Sequence, residues 1–281
     1  MSAVSSFSTE GVRAWNQPTD ETSGLVTFPQ TYVAPPRLSI GLKALDIAAG
    51  ANVRVRSSTS DGDNKKFTAH VDTWGGTTLY SSAIDTLVLK PANLDILCGE
   101  FSTQDDHPWQ QPQLETKRRI EFERPFVTPP KVLVYLKEID AGNGSSVRVK
   151  TYVDGIDAKG FTIHIDTWAD TKLYSGVASW VAYPEDKDYI TSGTANTMDV
   201  RAWNEPQLQN SNAIKFNFGG TAFWKDPQVF IGLNFIDIAS SNNLRIKAYG
   251  SDVSASGFTW HLDSWADTIL YSAGISYIAL N

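Results

Sequence analysis

The chain has 281 residues, of which 41% are hydrophobic and 20% charged, a composition that excludes extended disorder. Its net charge of −7 and isoelectric point near 5.1 disfavour phosphate-rich partners, so we expect no nucleic-acid binding. No apolar run approaches the roughly 18–20 residues that span a bilayer, so we expect no membrane insertion.

Two features bear on the compartment. Cys98 is the only cysteine, so an intrachain disulfide is impossible. The first residues lack the basic region and apolar stretch of a secretory signal peptide. We therefore expect a protein that is cytoplasmic, or released without a signal peptide.

Taken in chain order, the first landmark is a tryptophan loop that recurs at equal spacing. Its three copies span 13–18, 107–112 and 201–206 and contain Trp15, Trp109 and Trp203. The second landmark is a proline followed by a Val/Ile/Leu-rich run, which predicts a strand buried on both faces. An acid follows each run, and we predict a turn-capping role for these acids: Asp46, Asp140 and Asp237.

Two further landmarks complete the repeat. An arginine opens the next strand, and a dense Asp-Ser/Thr-Trp phrase that ends in tyrosine spans 72–80, 166–174 and 263–271. Recurrence in the same order predicts three units with boundaries at 1–93, 94–188 and 189–281. The joins are short and marked by proline, so we expect the units to pack against one another.

Each unit reads as all-β. In the strand before Trp168, Phe161, Ile163 and Ile165 alternate with polar residues, which predicts one face in a core and one outside it. No amphipathic helix with caps is evident, so several short strands indicate a small two-sheet sandwich. The outward face carries His70, His164 and His261 at matching positions, which is typical of an interface or a binding wall.

These phrases resemble the H-type lectin family, the domain of snail agglutinins and of the C-terminal part of slime-mould discoidins. The matching elements are the Trp-Asn-x-Pro loop, the Phe-x-x-Pro-Pro turn, the arginine strand, Gly-Phe-Thr and Asp-Thr-Trp-x-Asp-Thr-x-x-Tyr-Ser, and together they cover nearly the whole chain. The resemblance implies six-stranded antiparallel β-sandwiches that form threefold trimers. It also implies binding of galactose-type sugars, often N-acetylgalactosamine, in clefts between protomers.

The prediction is therefore an all-β chain of three tandem sandwiches, packed as an intramolecular pseudo-threefold trimer. Its predicted function is that of a multivalent carbohydrate-binding lectin, an agglutinin suited to cell adhesion, whose partners are glycans or glycoproteins. The resemblance implies that the sugar contacts are Arg54, Trp74, Tyr80, Arg148, Trp168, Tyr174, Arg245, Trp265 and Tyr271. Asn16, Gln110 and Asn204 stand in for an acid that the family carries on a longer N-terminal loop.

The chain departs from the family pattern next to the tryptophan, where a sugar-contacting histidine is replaced by Gly75, Ala169 and Ala266. Repeat 1 also has Gly76 where an aspartate is expected, and it lacks the Gly-Phe step. These departures predict that the site of repeat 1 is altered or inactive.

Several residues allow more than one interpretation. The tryptophans of the third phrase either contact sugar or pack between repeats, and the three arginines either contact sugar or pair across strands with Asp72, Asp166 and Asp263. Trp15, Trp109 and Trp203 are expected to anchor their loops. The three histidines are hydrogen-bonded interface residues, sugar contacts or, if they meet at a threefold axis, metal ligands.

An enzyme is not expected, since no hydrolase, phosphate-loop or metalloprotease motif is present and a thrice-repeated surface suits binding. We expect no cofactor and no metal. The alternative function is a protein-interaction scaffold that keeps the fold without sugar binding, and further homo-oligomerisation is left open.

Overall fold

The computed structural model describes residues 2–281, which form eighteen strands and three single-turn 3₁₀ helices. Within those residues, no helix is long and apolar enough to cross a lipid bilayer. The 3₁₀ helices are Thr9–Gly11, Thr103–Asp105 and Thr197–Asp199.

Each repeat contributes six strands, as predicted. Repeat 1 has β1 (Ala3–Ser8), β2 (Glu21–Thr27), β3 (Arg37–Ile47), β4 (Val53–Ser60), β5 (Lys66–Asp72) and β6 (Leu79–Leu89). Repeat 2 has β7 (Leu97–Ser102), β8 (Glu115–Glu121), β9 (Lys131–Ala141), β10 (Val147–Asp154), β11 (Gly160–Asp166) and β12 (Leu173–Tyr183). Repeat 3 has β13 (Ile190–Asn196), β14 (Ser211–Lys215), β15 (Gln228–Ile238), β16 (Leu244–Ser254), β17 (Gly257–Asp263) and β18 (Leu270–Leu280).

The six strands of a repeat form two antiparallel triplets that pack face to face. In repeat 1 the triplets are β1-β6-β3 and β2-β5-β4, and the other repeats follow the same order. Alternation places one apolar side chain in every two inside the sandwich. In repeat 2, for example, Phe161 on β11 lies 5.3 Å from Trp180 on β12, ring centroid to ring centroid. The all-β prediction and the three tandem sandwiches are confirmed.

Each triplet continues into a triplet of a neighbouring repeat, a feature that the sequence did not reveal. Strand β4 pairs with β9, β10 pairs with β15, and β16 pairs with β3, all antiparallel. The result is three six-stranded sheets, each built half from one repeat and half from the next. The backbone groups of strands that would otherwise be edges are thereby hydrogen-bonded.

The repeats also meet in a buried apolar cluster, here called the central cluster. It consists of Leu87, Leu89, Ile96, Leu133, Tyr135, Val181, Tyr183, Ile190, Phe230, Ile278 and Leu280, drawn from all three repeats. Tyr135 packs on Phe230 at 4.6 Å between ring centroids, and its hydroxyl is 2.6 Å from that of Ser39. Gly41 and Gly232 stand where repeat 2 has Tyr135, and a Cβ on Gly232 would lie 2.7 Å from the Cβ of Tyr135. One large side chain fits there because the other two are absent.

Candidate functional site

A tight turn fixes the recurring tryptophan in each repeat. In repeat 3 the amide of Thr268 donates to the carbonyl of Trp265, and the Thr268 hydroxyl donates to the carbonyl of Asn243 at 2.7 Å. The residue after the tryptophan is left-handed, with φ of 55° at Ala266. The same two bonds recur in the other repeats, so the turn is fastened beside the strand that carries the arginine.

The arginine of each repeat faces an acid of the next repeat. Arg245 is opposite Asp46 in the β16–β3 pairing, with its Nε 3.5 Å from the Asp46 Oδ1. The equivalent distances are 3.1 Å for Arg54 and Asp140, and 3.6 Å for Arg148 and Asp237. The turn-capping role predicted for these three acids is therefore wrong.

The acids predicted to pair with the arginines have other partners. Asp166 and Asp263 each accept a hydrogen bond of 2.8 Å from a tyrosine hydroxyl, that of Tyr152 and of Tyr249 respectively. Asp72 lies 3.8 Å from Arg56 rather than beside Arg54. The predicted cross-strand pairing within a repeat is wrong because of the strand register: the residue opposite the acid is not the arginine but the residue two positions after it, as with Arg56 opposite Asp72.

A second acid completes the charge arrangement in two repeats. Arg148 and Arg245 each donate from Nη1 to an aspartate of their own turn, Asp170 and Asp267, at 2.6 Å. This hydrogen bond lowers the pKa of both exposed carboxyls. Repeat 1 has Gly76 in place of this acid, and Arg54 donates instead to the Gly75 carbonyl at 2.9 Å.

The acids that face an arginine of the preceding repeat have pKa values shifted in the opposite direction. Burial raises the pKa of Asp46, Asp140 and Asp237, and the facing arginine opposes that rise. Burial disfavours a carboxylate, whereas a nearby guanidinium favours it. Each arginine is thus held in place by one acid that is at least half-buried, while other N–H groups remain available as donors.

A cleft of about 710 Å³ opens at the interface between repeats 3 and 1. Repeat 3 contributes Arg245, Lys247, Trp265 and Ala266, and repeat 1 contributes Ser8, Glu10, Trp15, Ala44, Asp46 and Ser81–Ala83. Trp265 is 36% exposed and Trp15 is 56% exposed, so the cleft combines two accessible ring systems with charged and hydroxyl groups. Such a set can cover the C–H surface of a sugar ring and hydrogen-bond its hydroxyls.

The predicted tyrosines do not join the arginines directly. Tyr80 is absent from the lining of this cleft; its ring meets that of Trp15 edge-on at 6.0 Å. Tyr174 with Trp109, and Tyr271 with Trp203, repeat the contact at 6.2 Å. The tyrosine of a repeat therefore supports the loop tryptophan of the same repeat, and in repeat 1 that tryptophan, Trp15, shares the cleft with Arg245 of repeat 3.

The loop tryptophans were expected to anchor their loops, and this prediction is wrong because all three are more than half exposed. The anchor is the residue two positions earlier. Arg13 donates to the carbonyls of Leu79 and Tyr80 at 2.9 and 2.8 Å, and Arg201 makes the equivalent bonds in repeat 3. In repeat 2 buried His107 replaces the arginine. The sequence showed the arginine at this position in repeats 1 and 3 only.

The remaining predicted residues lie on the same loops or elsewhere. Asn16, Gln110 and Asn204 are exposed, and Asn16 does not line the cleft. The histidines do not meet: His70 and His261 bond to serines of their own repeat at 2.7 and 2.9 Å, and His164 lies 3.1 Å from Asp154. In residues 2–281 no three His, Cys, Asp or Glu side chains are grouped to hold a metal.

The surroundings of the three turn tryptophans differ. Trp168 stacks on Phe235 of repeat 3, with ring centroids 5.4 Å apart and planes 20° from parallel. The guanidinium of Arg56 lies 5.7 Å from the ring centroid of Trp74. Trp265 has neither cover. Of the two interpretations given above, packing between repeats therefore holds for Trp168.

Comparison with known proteins identifies the domain. The H-type lectin domain model matches residues 24–85, 117–183 and 213–280, and each match lies within one predicted unit. Two solved structures of discoidin II from Dictyostelium discoideum are similar to the chain at 16% and 15% identity. They match 57% of this chain and 81% and 80% of their own, with a TM-score of 0.27. No curated protein matches the chain. Because the three matches cover more than half of its residues, the chain belongs to the family of the H-type lectin domain, a carbohydrate-binding domain.

Proposed function

We propose that the protein is a lectin that binds galactose-type glycans in clefts between its repeats. The observation that carries this proposal is the cleft between repeats 3 and 1, where Arg245 and Trp265 of one repeat face Trp15 and Asp46 of the other. An indole face, a guanidinium held by a half-buried acid and nearby hydroxyls are what a pyranose ring requires. The volume of the cleft, about 710 Å³, lies within the range of small-ligand sites, roughly 300–1,000 Å³.

The same proposal includes the arrangement of the repeats. The strand pairings run from repeat 1 to 2, from 2 to 3 and from 3 to 1, with the arginine opposite the acid each time. We propose that this closed ring is a pseudo-threefold trimer within one chain. Linking the units in one polypeptide replaces an association between molecules with an intramolecular one at high effective concentration.

A glycan array tests the lectin function. We expect wild-type protein to bind galactose-type glycans, and Trp265→Ala to weaken that binding at least tenfold because the indole face is lost. Trp224→Ala is the matched control, since Trp224 is 70% exposed and lies outside the cleft. Its binding should equal that of wild type.

Silence of a folded wild-type protein across the array would overturn the lectin function. The scaffold alternative would then account better for the molecule, and the stacking of Trp168 on Phe235 between repeats is the observation that favours it.

A further inference from the structure

The three interfaces keep the same arginine–acid pair but differ at the next outward-facing position. Along the paired strands, Lys247 is opposite Ala44, Arg56 is opposite Glu138, and Lys150 is opposite Phe235. These pairs lie two residues from the arginine–acid pair, on the same face of the sheet. The side chain opposite is one methyl group, a carboxyl or a ring, so the surroundings of the turn tryptophan differ among the three interfaces.

Between repeats 2 and 3 the tryptophan is already covered. Phe235 is only 8% exposed, and its ring lies nearly parallel to that of Trp168 at 5.4 Å. That geometry is the offset stacking that aromatic pairs favour. A sugar ring would have to displace a buried phenylalanine from the surface it needs.

Between repeats 1 and 2 the cover is a charged group. Arg56 lies over Trp74 and is paired with Asp72, and Glu138 is half-buried opposite it. Burial raises the pKa of Glu138, while the Ser175 hydroxyl and Arg56 favour its charged form. In repeats 2 and 3 the equivalent lysine lies instead over a tyrosine, Tyr152 or Tyr249, but repeat 1 has Ser58 there. Without that tyrosine, the guanidinium uses the tryptophan as its aromatic partner.

Between repeats 3 and 1, no ring or cation within residues 2–281 stacks on the tryptophan, and Trp265 stays 36% exposed. Ala44 is too small to reach Trp265, and both line the open cleft. We propose that this cleft is the one site in the chain that accepts a sugar ring on its turn tryptophan, and that Phe235 and Arg56 close the two equivalent sites. The proposal rests on the proposed lectin function and goes beyond it, since it replaces three equal sites with one.

Calorimetric titration with methyl α-N-acetylgalactosaminide tests the count. We expect one sugar per wild-type chain. Ala44→Phe copies the cover found at Phe235 and should weaken binding at least tenfold, whereas Phe235→Ala should raise the stoichiometry to two. Leu25→Phe is the matched control: it adds the same ring at an exposed position outside the cleft and should leave binding unchanged. A wild-type stoichiometry of three, or full binding by Ala44→Phe, would overturn the proposal while leaving the lectin function intact.

A second measurement needs no sugar and so separates the two proposals. Acrylamide quenches exposed indoles, so Trp265→Phe should remove more quenchable fluorescence than Trp168→Phe. In the Phe235→Ala background, Trp168→Phe should remove a comparable amount. If the two substitutions have equal effects in the otherwise unchanged chain, the sites are equally open and the inference is wrong, whatever the glycan array shows.

Discussion

The repeats meet in the central cluster and at the strand junctions of their shared sheets, where β4 pairs with β9, β10 with β15 and β16 with β3, and in both places the three copies differ. In the central cluster the difference is a packing necessity, since the space around Tyr135 admits one large side chain and two glycines. At the strand junctions, Ala44, Glu138 and Phe235 occupy equivalent positions where side chains of three different sizes fit. Because the three units are joined in one chain, equivalent positions can carry different residues. In the central cluster packing requires the difference, whereas at the strand junctions packing permits it.

The largest expected effect lies in the central cluster. Tyr135→Ala removes a fully buried ring and leaves a cavity beside Phe230, and it also leaves the Ser39 hydroxyl without its partner. We expect a loss of about 3–5 kcal/mol in the free energy of unfolding, measured by urea denaturation. A loss below about 1 kcal/mol would mean that the repeats are not held together there.

A smaller effect is expected from crowding the same place. Gly232→Ala puts a Cβ 2.7 Å from that of Tyr135, so a strand must move. We expect a loss of about 1–3 kcal/mol, the usual range for overpacking. Gly62→Ala is the control, because nothing lies within 4 Å of the added carbon. Equal denaturation midpoints for the two variants would contradict the packing account.

Much of the fold could be predicted from the sequence, because strand alternation is local and was read three times over. The sharing of sheets could not. Strands β3 and β4 carry the same apolar pattern whether their partner is in the same repeat or the next. The site could not be predicted for the same reason. Every repeat has an equivalent of Arg245 and of Asp46, but these two residues pair between repeats 3 and 1. Nothing in the pattern around Phe235 marks it as a partner of Trp168, because the two residues belong to different repeats.

The smallest expected effect is the pH dependence of stability that comes from the acids around the junction arginines. Burial raises the pKa of Asp237 above its ordinary value of 3.8, so the folded protein holds that proton more tightly than the unfolded chain does. The stability that this carboxyl contributes therefore rises as pH falls from 7 towards 3.8. As pH falls over that range, the free energy of unfolding of wild type, measured by urea denaturation, should rise relative to that of Asp237→Asn.

Asp267→Asn provides a control of opposite sign. A hydrogen bond from Arg245 lowers the pKa of Asp267, so its contribution is lost as pH falls. On acidification, the free energy of unfolding of wild type should fall relative to that of Asp267→Asn. If the stability difference between wild type and variant changes in the same direction with pH for both variants, the charge arrangement around the arginines is not as described.

The pairing of β3 with β16 has a consequence for how the protein is made. Ile47 pairs with Leu244, a residue of the third repeat, so the β3 edge of the first repeat is still unpaired after the second repeat has supplied β9 to β4. That edge stays open until β16 has been synthesised, and an open edge can pair with another chain. A messenger truncated after the second repeat would therefore yield a product prone to aggregation. The fold therefore cannot be completed one repeat at a time during synthesis, because β3 in the first repeat needs β16 in the third.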